Sequence, residues 1–254
     1  MWEPRGHADM YGCILTPAQE PDSDFGILFI HNEGYSTMCG HAVIGITTLA
    51  IQMGWVEIAG LETMVKMDAP CGQITAWALV ENGEVRGVRF HCVPSFAAEL
   101  NQTVEVDDLG TVNYDLGYGG AFYAYVDART LGLKLGPENH QELIQKGMAI
   151  KHAVMKSNPN IKHPFADDLS FLYGTIFIGD PKSEGVDSRN VCIFAEGEVD
   201  RSPTGSGVSG RMALHYAKGE IKLGETMRIE SILDTVFGGS VVEEVEYGSF
   251  QAVI

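Results

Sequence analysis

One short pattern occurs twice in this chain. Cys39-Gly40-His41-Ala42-Val43-Ile44-Gly45 aligns with Thr204-Gly205-Ser206-Gly207-Val208-Ser209-Gly210. Just upstream Thr37 matches Ser202, and downstream Leu49 matches Leu214. Each copy reads as a small reactive or hydroxyl residue, a glycine, a polar residue and then the apolar start of a helix. The copies lie too far apart for a solenoid, whose periods run to roughly 20–50 residues, and their spacing suits two duplicated lobes facing one another.

A glycine-rich turn leading into a helix leaves several backbone N–H groups without partners. Together with the helix dipole they make a site for an anion such as a carboxylate, and a cysteine at that position has its thiolate stabilised. Two such helix starts would hold one carboxylate from both sides, with Cys39 and Thr204 flanking the bound molecule. Taken singly the residues are unremarkable: a cysteine beside glycine is ordinarily a buried, inert hydrophobe, and a threonine before a helix is ordinarily an N-cap. The duplication shifts the weight, because core packing does not require the same helix-entry chemistry twice.

Composition narrows the partners. With 17 Lys+Arg against 34 Asp+Glu the formal charge is −17, a field that repels phosphate backbones and anionic lipid, so neither nucleic acid nor a membrane surface is an expected partner. The opening Met1-Trp2-Glu3-Pro4-Arg5 lacks the apolar core of a secretory signal, and the apolar stretch from Ala42 to Ile51 is too short to span a bilayer. Cys13, Cys39, Cys71, Cys92 and Cys192 are odd in number and widely spaced, which predicts reduced thiols in a cytoplasmic setting. Neither Cys-x-x-Cys nor His-Glu-x-x-His occurs, so no metal is expected.

Length and patterning predict an α+β chain in two lobes. Phe25–Ile30 reads as a buried strand, and Ile74–Val80 and Val85–Cys92 flank the hairpin signal Glu81-Asn82-Gly83-Glu84. Gly40–Gln52 reads as a helix apolar all round, hence buried. After a break at Leu116-Gly117-Tyr118-Gly119-Gly120, Ala121–Val126 reads as a strand. Pro137–Lys156 reads as an amphipathic helix with Leu143, Ile144, Met148 and Ala149 on one side. Tyr173–Ile178 and Asn190–Phe194 are further strands, Gly207–Ala217 a helix, and Ser240–Ile254 strand-like.

Ser36-Thr37-Met38-Cys39-Gly40-His41-Ala42 and Asp200-Arg201-Ser202-Pro203-Thr204-Gly205-Ser206-Gly207 resemble the two signature motifs of the proline racemase family, which also includes hydroxyproline 2-epimerases and trans-3-hydroxy-L-proline dehydratases. The likeness extends through Glu3-Pro4-Arg5-Gly6-His7-Ala8-Asp9-Met10-Tyr11-Gly12, His31-Asn32-Glu33-Gly34-Tyr35, Gly120-Ala121-Phe122-Tyr123-Ala124 and Asp168-Leu169-Ser170-Phe171-Leu172-Tyr173-Gly174-Thr175-Ile176. It implies two pseudo-symmetric diaminopimelate-epimerase-like lobes with the active site in the cleft between them. Residues 1–116 are the expected first lobe, 117–238 the second, and 239–254 a strand segment returning to the first. The family pattern continues before Met1 and after Ile254, so the first lobe is expected to lack its usual N-terminal part and to have unpaired strand edges.

The resemblance implies cofactor-independent chemistry on a small hydroxyproline-type imino acid, with a homodimer as one assembly open to it. Cys39 and Thr204 correspond to the catalytic pair. Gly40, His41, Gly205 and Ser206 match positions that bind substrate, largely its carboxylate, and Asp200 matches the acid that meets the ring nitrogen. Racemases and epimerases carry a second cysteine where this chain has Thr204; a thiol can give or take a proton near neutral pH, and an unactivated hydroxyl cannot. Cys followed by Thr is the pattern associated with the dehydratase, which is the expected activity. Two rivals stand beside it: hydroxyproline 2-epimerase-like activity, and a shortened, non-catalytic homologue that only binds proline-like ligands. Asp200 also has an ordinary reading as an acid near a helix start, and His7, Asp9 and His31 are expected to be structural hydrogen-bonding groups. Cys13, Cys71, Cys92 and Cys192 are expected to be inert.

Overall fold

Strand patterning in the first third of the chain produces one mixed sheet. The computed structural model describes residues 6–7, 9–159 and 161–254; Met1 to Arg5 and Ala8, part of the opening stretch read above, lie outside the described residues. The chain divides into two compact units, Met1–Val93 and Pro94–Ile254. The first contains β1 (Gly12–Thr16), β2 (Phe25–Ile30), β3 (Tyr35–Ser36), α1 (Gly40–Gln52), β4 (Glu62–Ala69), β5 (Gly72–Glu81) and β6 (Glu84–His91). Its sheet runs β1-β2-β4-β5-β6, with β3 on β2. The β5–β6 hairpin turns through Asn82 and Gly83, both at positive φ (53° and 80°), the backbone a two-residue hairpin loop requires.

Alternation along β4 and β5 sends Val65, Met67, Ile74, Ala76 and Ala78 inward, and α1 packs on β5 and β6. The helix begins and ends where its glycine and periodicity predict, yet it is not buried all round. Gly40, Val43, Ile46, Thr47, Ala50 and Ile51 are buried, whereas His41, Gly45 and Leu49 are exposed. Within this unit the helix therefore covers its sheet with one face.

The second unit is a helix–sheet–helix sandwich. It contains β7 (Ser95–Val106), β8 (Gly110–Tyr118), β9 (Phe122–Asp127), α2 (His140–Ser157), β10 (Leu172–Gly179), β11 (Ser188–Phe194), β12 (Glu198–Val199), α3 (Gly205–Ala217), β13 (Thr226–Glu230), β14 (Val236–Ser240), β15 (Glu244–Tyr247) and β16 (Phe250–Val253). The strand order is β14-β13-β11-β10-β9-β8-β7-β16-β15, with β12 on β11. Neighbouring residues of β10 meet different helices. Thr175 donates to the Gly147 carbonyl of α2 at 2.9 Å, and Ile176 lies against Gly207 of α3. The two helices thus cover opposite faces, which explains the nearly unbroken burial along β10 and β11.

The boundary falls at Val93/Pro94, ahead of 116/117, because the Gly119-Gly120 turn joins two strands of one sheet: Tyr118 pairs with Phe122 across it. Residues 239–254, expected to return to the first lobe, extend the second unit's sheet, with Ala252 opposite Phe96. On α2 the buried stripe is Leu143, Gly147, Ile150, Lys151 and Val154, with Ile144, Met148 and Ala149 only partly covered. A glycine and a lysine stem lie in this stripe, which hydrophobicity alone does not mark.

The duplicated motif corresponds to duplicated topology. In the first unit β1 pairs antiparallel with β2, β3 adds to β2, α1 crosses over, and β4 returns parallel to β2 and antiparallel to β5. In the second, β10, β11, β12, α3, β13 and β14 repeat the same pairings in the same order. Each motif sits where the chain enters the crossover helix.

Candidate active site

At the first helix start, the extended backbone of Cys39 (φ −145°, ψ 105°) makes it the N-cap of α1. Its carbonyl opens the helical ladder by accepting from Val43 N at 3.0 Å. The amides of Gly40, His41 and Ala42 therefore precede the ladder, in the orientation that suits an anion. The approach loop is pinned by Ser36 Oγ donating to the Met38 carbonyl at 3.1 Å and by Cys71 N donating to the Thr37 carbonyl at 3.3 Å. No acid occupies the first turn, so nothing there offsets the positive helix end. Cys39 is 7% exposed, Gly40 is buried and His41 is exposed, with the His41 ring 5.9 Å from Tyr11. Burial, and then its neighbour Cys39, pushes the Cys13 thiol up.

At the second helix start, Thr204 is the N-cap of α3 with φ 67° and ψ 94°. A β-branched residue is rarely held there, at a cost of about 1–3 kcal/mol, and it is held by a closed set of bonds. Thr204 Oγ1 donates to Asp200 Oδ2 at 2.9 Å, and Ser202 N donates to Asp200 Oδ1 at 2.8 Å. Thr204 N donates to Ser202 Oγ at 3.1 Å, and Asn190 Nδ2 donates to the Pro203 carbonyl at 3.2 Å. Asp200 is itself anchored through its amide to the Cys192 carbonyl at 3.0 Å. Val208 N donating to the Thr204 carbonyl at 2.7 Å starts the ladder, leaving the amides of Gly205, Ser206 and Gly207 ahead of it. Here too the first turn carries no acid.

The residues expected to act thus form two clusters, one in each unit: Cys39, Gly40 and His41, and Asp200, Thr204, Gly205 and Ser206. His31 accepts from Glu33 N on Nδ1 at 3.2 Å, and His7 accepts from Asp9 N on Nδ1 at 3.2 Å. The five cysteines are free thiols. Among the described residues, no three His, Cys, Asp or Glu side chains are grouped to hold a metal ion, and no helix is long and apolar enough to cross a membrane.

Sequence reasoning missed the residues that support the second cluster. Cys192 lies under it, its thiol pushed well above the ordinary range by burial and then by Asp200. From β9, Tyr123 and Tyr125 reach the first turn of α3: Tyr123 OH is 2.7 Å from Ser206 Oγ, and Tyr125 OH donates to the Gly207 carbonyl at 2.8 Å. Their spacing of two in a strand was the available signal, since it puts both rings on one face. Arg211 is buried on α3, donating to Asn190 Oδ1 at 2.9 Å and Ser188 Oγ at 2.7 Å. Burial lowers its guanidinium to about 10. A motif search centred on the helix start does not look one turn further along.

The "Proline racemase" family model matches residues 1–254. The chain is 57% identical to a trans-3-hydroxy-L-proline dehydratase of Colwellia psychrerythraea, an alignment covering all of this chain and 71% of that protein. It is 44% identical to a 3-hydroxyproline 2-epimerase of Burkholderia multivorans, over all of this chain and 76% of the relative. The fold is similar to the crystal structure of a hydroxyproline epimerase from Agrobacterium vitis with bound trans-4-hydroxy-L-proline, at a TM-score of 0.93 and 30% identity, covering 99% of this chain and 72% of that one. A duplicated crossover unit, a cysteine at one helix start and a threonine at the other, and matches of this extent have one explanation: the chain belongs to the proline racemase family.

Proposed function

We propose that this protein dehydrates trans-3-hydroxy-L-proline to Δ1-pyrroline-2-carboxylate and water. In this reading helix-start amides receive the substrate carboxylate, and Asp200 receives the ring ammonium. The Cys39 thiolate takes the α proton, and the helix-start amides stabilise the charge that builds on the carboxylate. The electron pair left at the α carbon forms the C2–C3 double bond as the C3–O bond breaks. In the trans substrate the hydroxyl and the α hydrogen share a ring face, so Cys39 returns its proton to the departing oxygen and water leaves. The enamine then tautomerises to the cyclic imine.

The observation that carries this reading is the Thr204 hydroxyl directed at Asp200, 2.9 Å away. Its proton is already donated to a carboxylate, so Thr204 is engaged in holding the acid rather than in accepting or delivering an α proton. The whole-length likeness to proteins named trans-3-hydroxy-L-proline dehydratase supports the same choice. The test is incubation with trans-3-hydroxy-L-proline and reductive trapping of the imine as proline. Turnover is expected from the natural protein and none from Cys39→Ala; product from the alanine variant would remove Cys39 from the mechanism. A second reading, 2-epimerisation, draws on the relative named 3-hydroxyproline 2-epimerase. Following optical rotation with trans-4-hydroxy-L-proline separates the two, since a dehydratase of this kind leaves it unchanged.

A further inference from the structure

We propose that Tyr123 is a positioning residue that fixes the direction of the Ser206 hydroxyl, leaving the serine's proton to be donated to the substrate carboxylate. Ser206 is the second residue of α3 and only 2% exposed; Tyr123 is fully buried on β9. Their oxygens are 2.7 Å apart, and on distance alone either could be the donor. Among the described residues Tyr123 makes no other hydrogen bond, and burial raises its phenol well above the ordinary range, so the phenol keeps its proton. Either assignment leaves one hydroxyl hydrogen without a protein acceptor, so the choice rests on chemistry: a phenol is a stronger donor than an aliphatic alcohol and, with its lone pair delocalised into the ring, a weaker acceptor. Tyr123 is therefore the donor and Ser206 Oγ the acceptor.

The consequence lies in what Ser206 has left. Its own hydrogen meets no acceptor among the described residues, although the residue is almost wholly enclosed. It belongs to a helix start with no acid in its first turn, where the Gly205, Ser206 and Gly207 amides already favour an anion. An oriented O–H adds one more donor to that group. Tyr125 keeps the platform still: it sits two residues along the same strand and binds the next carbonyl of the turn, that of Gly207, at 2.8 Å. Nearby Gly119 approaches so closely that a Cβ would run into the backbone of Ser206 and Gly210. The inference rests on the reading above that Ser206 meets the carboxylate.

A double-mutant cycle tests it, with calorimetric binding of pyrrole-2-carboxylate, a planar carboxylate mimic of the deprotonated ring, as readout. The four proteins are the natural one, Tyr123→Phe, Ser206→Ala and the double variant; each change removes one oxygen and little volume. Ser206→Ala is expected to weaken binding about tenfold, the loss of one hydrogen bond to a charged group. Tyr123→Phe is expected to weaken it several-fold alone and to add nothing on the Ser206→Ala background. Additive losses, or unchanged binding by Tyr123→Phe, would overturn the role of Tyr123 while leaving the dehydratase reading intact. A natural protein that neither binds the mimic nor turns over trans-3-hydroxy-L-proline would remove both.

Discussion

Cys39 and Thr204 occupy equivalent places, yet their backbones differ: the cysteine is extended and the threonine sits at positive φ. The bond from Thr204 Oγ1 to Asp200 accounts for how an unfavourable conformation is kept. Thr204→Val, nearly the same in shape, removes that donor and leaves a buried carboxylate with one partner fewer. The KM for trans-3-hydroxy-L-proline should rise about tenfold, and Thr204→Ser should restore most of the loss. A valine variant with unchanged KM would show that the bond does not position Asp200 for substrate. At this scale the sequence was most legible: both motifs and their helix starts follow from local glycine and cap chemistry, whereas the bond between Thr204 and Asp200 was not anticipated. Tyr123, Cys192 and Arg211 were not legible, because nothing in their own neighbourhoods of sequence says which turn of which helix they will meet.

Helix α3 carries the second motif, and its docking depends on the absence of a side chain at Gly119. A Cβ there would fall into the backbone of Ser206 and Gly210, so Gly119→Ala should cost about 1–3 kcal/mol and lower the melting temperature by several degrees. Gly87→Ala on β6, where a Cβ meets nothing within 4 Å, is the matching control and should shift it little. The far end of the same helix has a titration of its own. His215 Nε2 accepts from Arg211 Nε at 3.2 Å, and Nδ1 lies 2.5 Å from Glu220; with Nε2 an acceptor, the ring is neutral and its proton is on Nδ1. Burial, then Arg211, lowers its pKa below the ordinary 6.5. A depressed folded-state value means stability present above 6.5 and lost as pH falls through the folded pKa. Thermal melts from pH 7 down to about 5 should therefore show a decline that His215→Gln reduces. His163, also lowered by burial and accepting from Phe165 N and Ala166 N on Nδ1, should account for much of the rest. Several elements, among them β2, β5, β6 and α1, were read from sequence nearly to the residue, whereas β4, β7 and β8 were not. β7 carries Glu99, Asn101 and Gln102 within four residues and two register shifts, between Ala97 and Glu99 and between Glu99 and Gln102, and each shift breaks the alternation by which a strand is recognised.

For the whole molecule, duplicated topology and strong acidity pull in different directions. Two helix starts with no acid in the first turn attract a carboxylate locally, while a net charge of −17 repels it from a distance. The two effects differ in range. Buried amides act over one or two bond lengths and are little screened, whereas the field of the whole surface is weakened once the Debye length falls from about 30 Å at 0.01 M to about 8 Å at 0.15 M. Spread over a domain of this size, the charge raises the free energy of an approaching monoanion by a further 1 kcal/mol or so at the lower salt, roughly a fivefold change in affinity. Pyrrole-2-carboxylate, a net anion, should therefore bind several-fold more tightly as salt is raised over that range, against the usual trend for an ionic ligand. Trans-3-hydroxy-L-proline is a zwitterion with no net charge, so its KM should stay within about twofold. Binding titrations and initial rates across the same salt series make the comparison. A mimic that binds more weakly with rising salt would mean that local cationic contacts outweigh the acidic surface, and parallel changes in both ligands would point to salt acting on the protein rather than on the approach of charge.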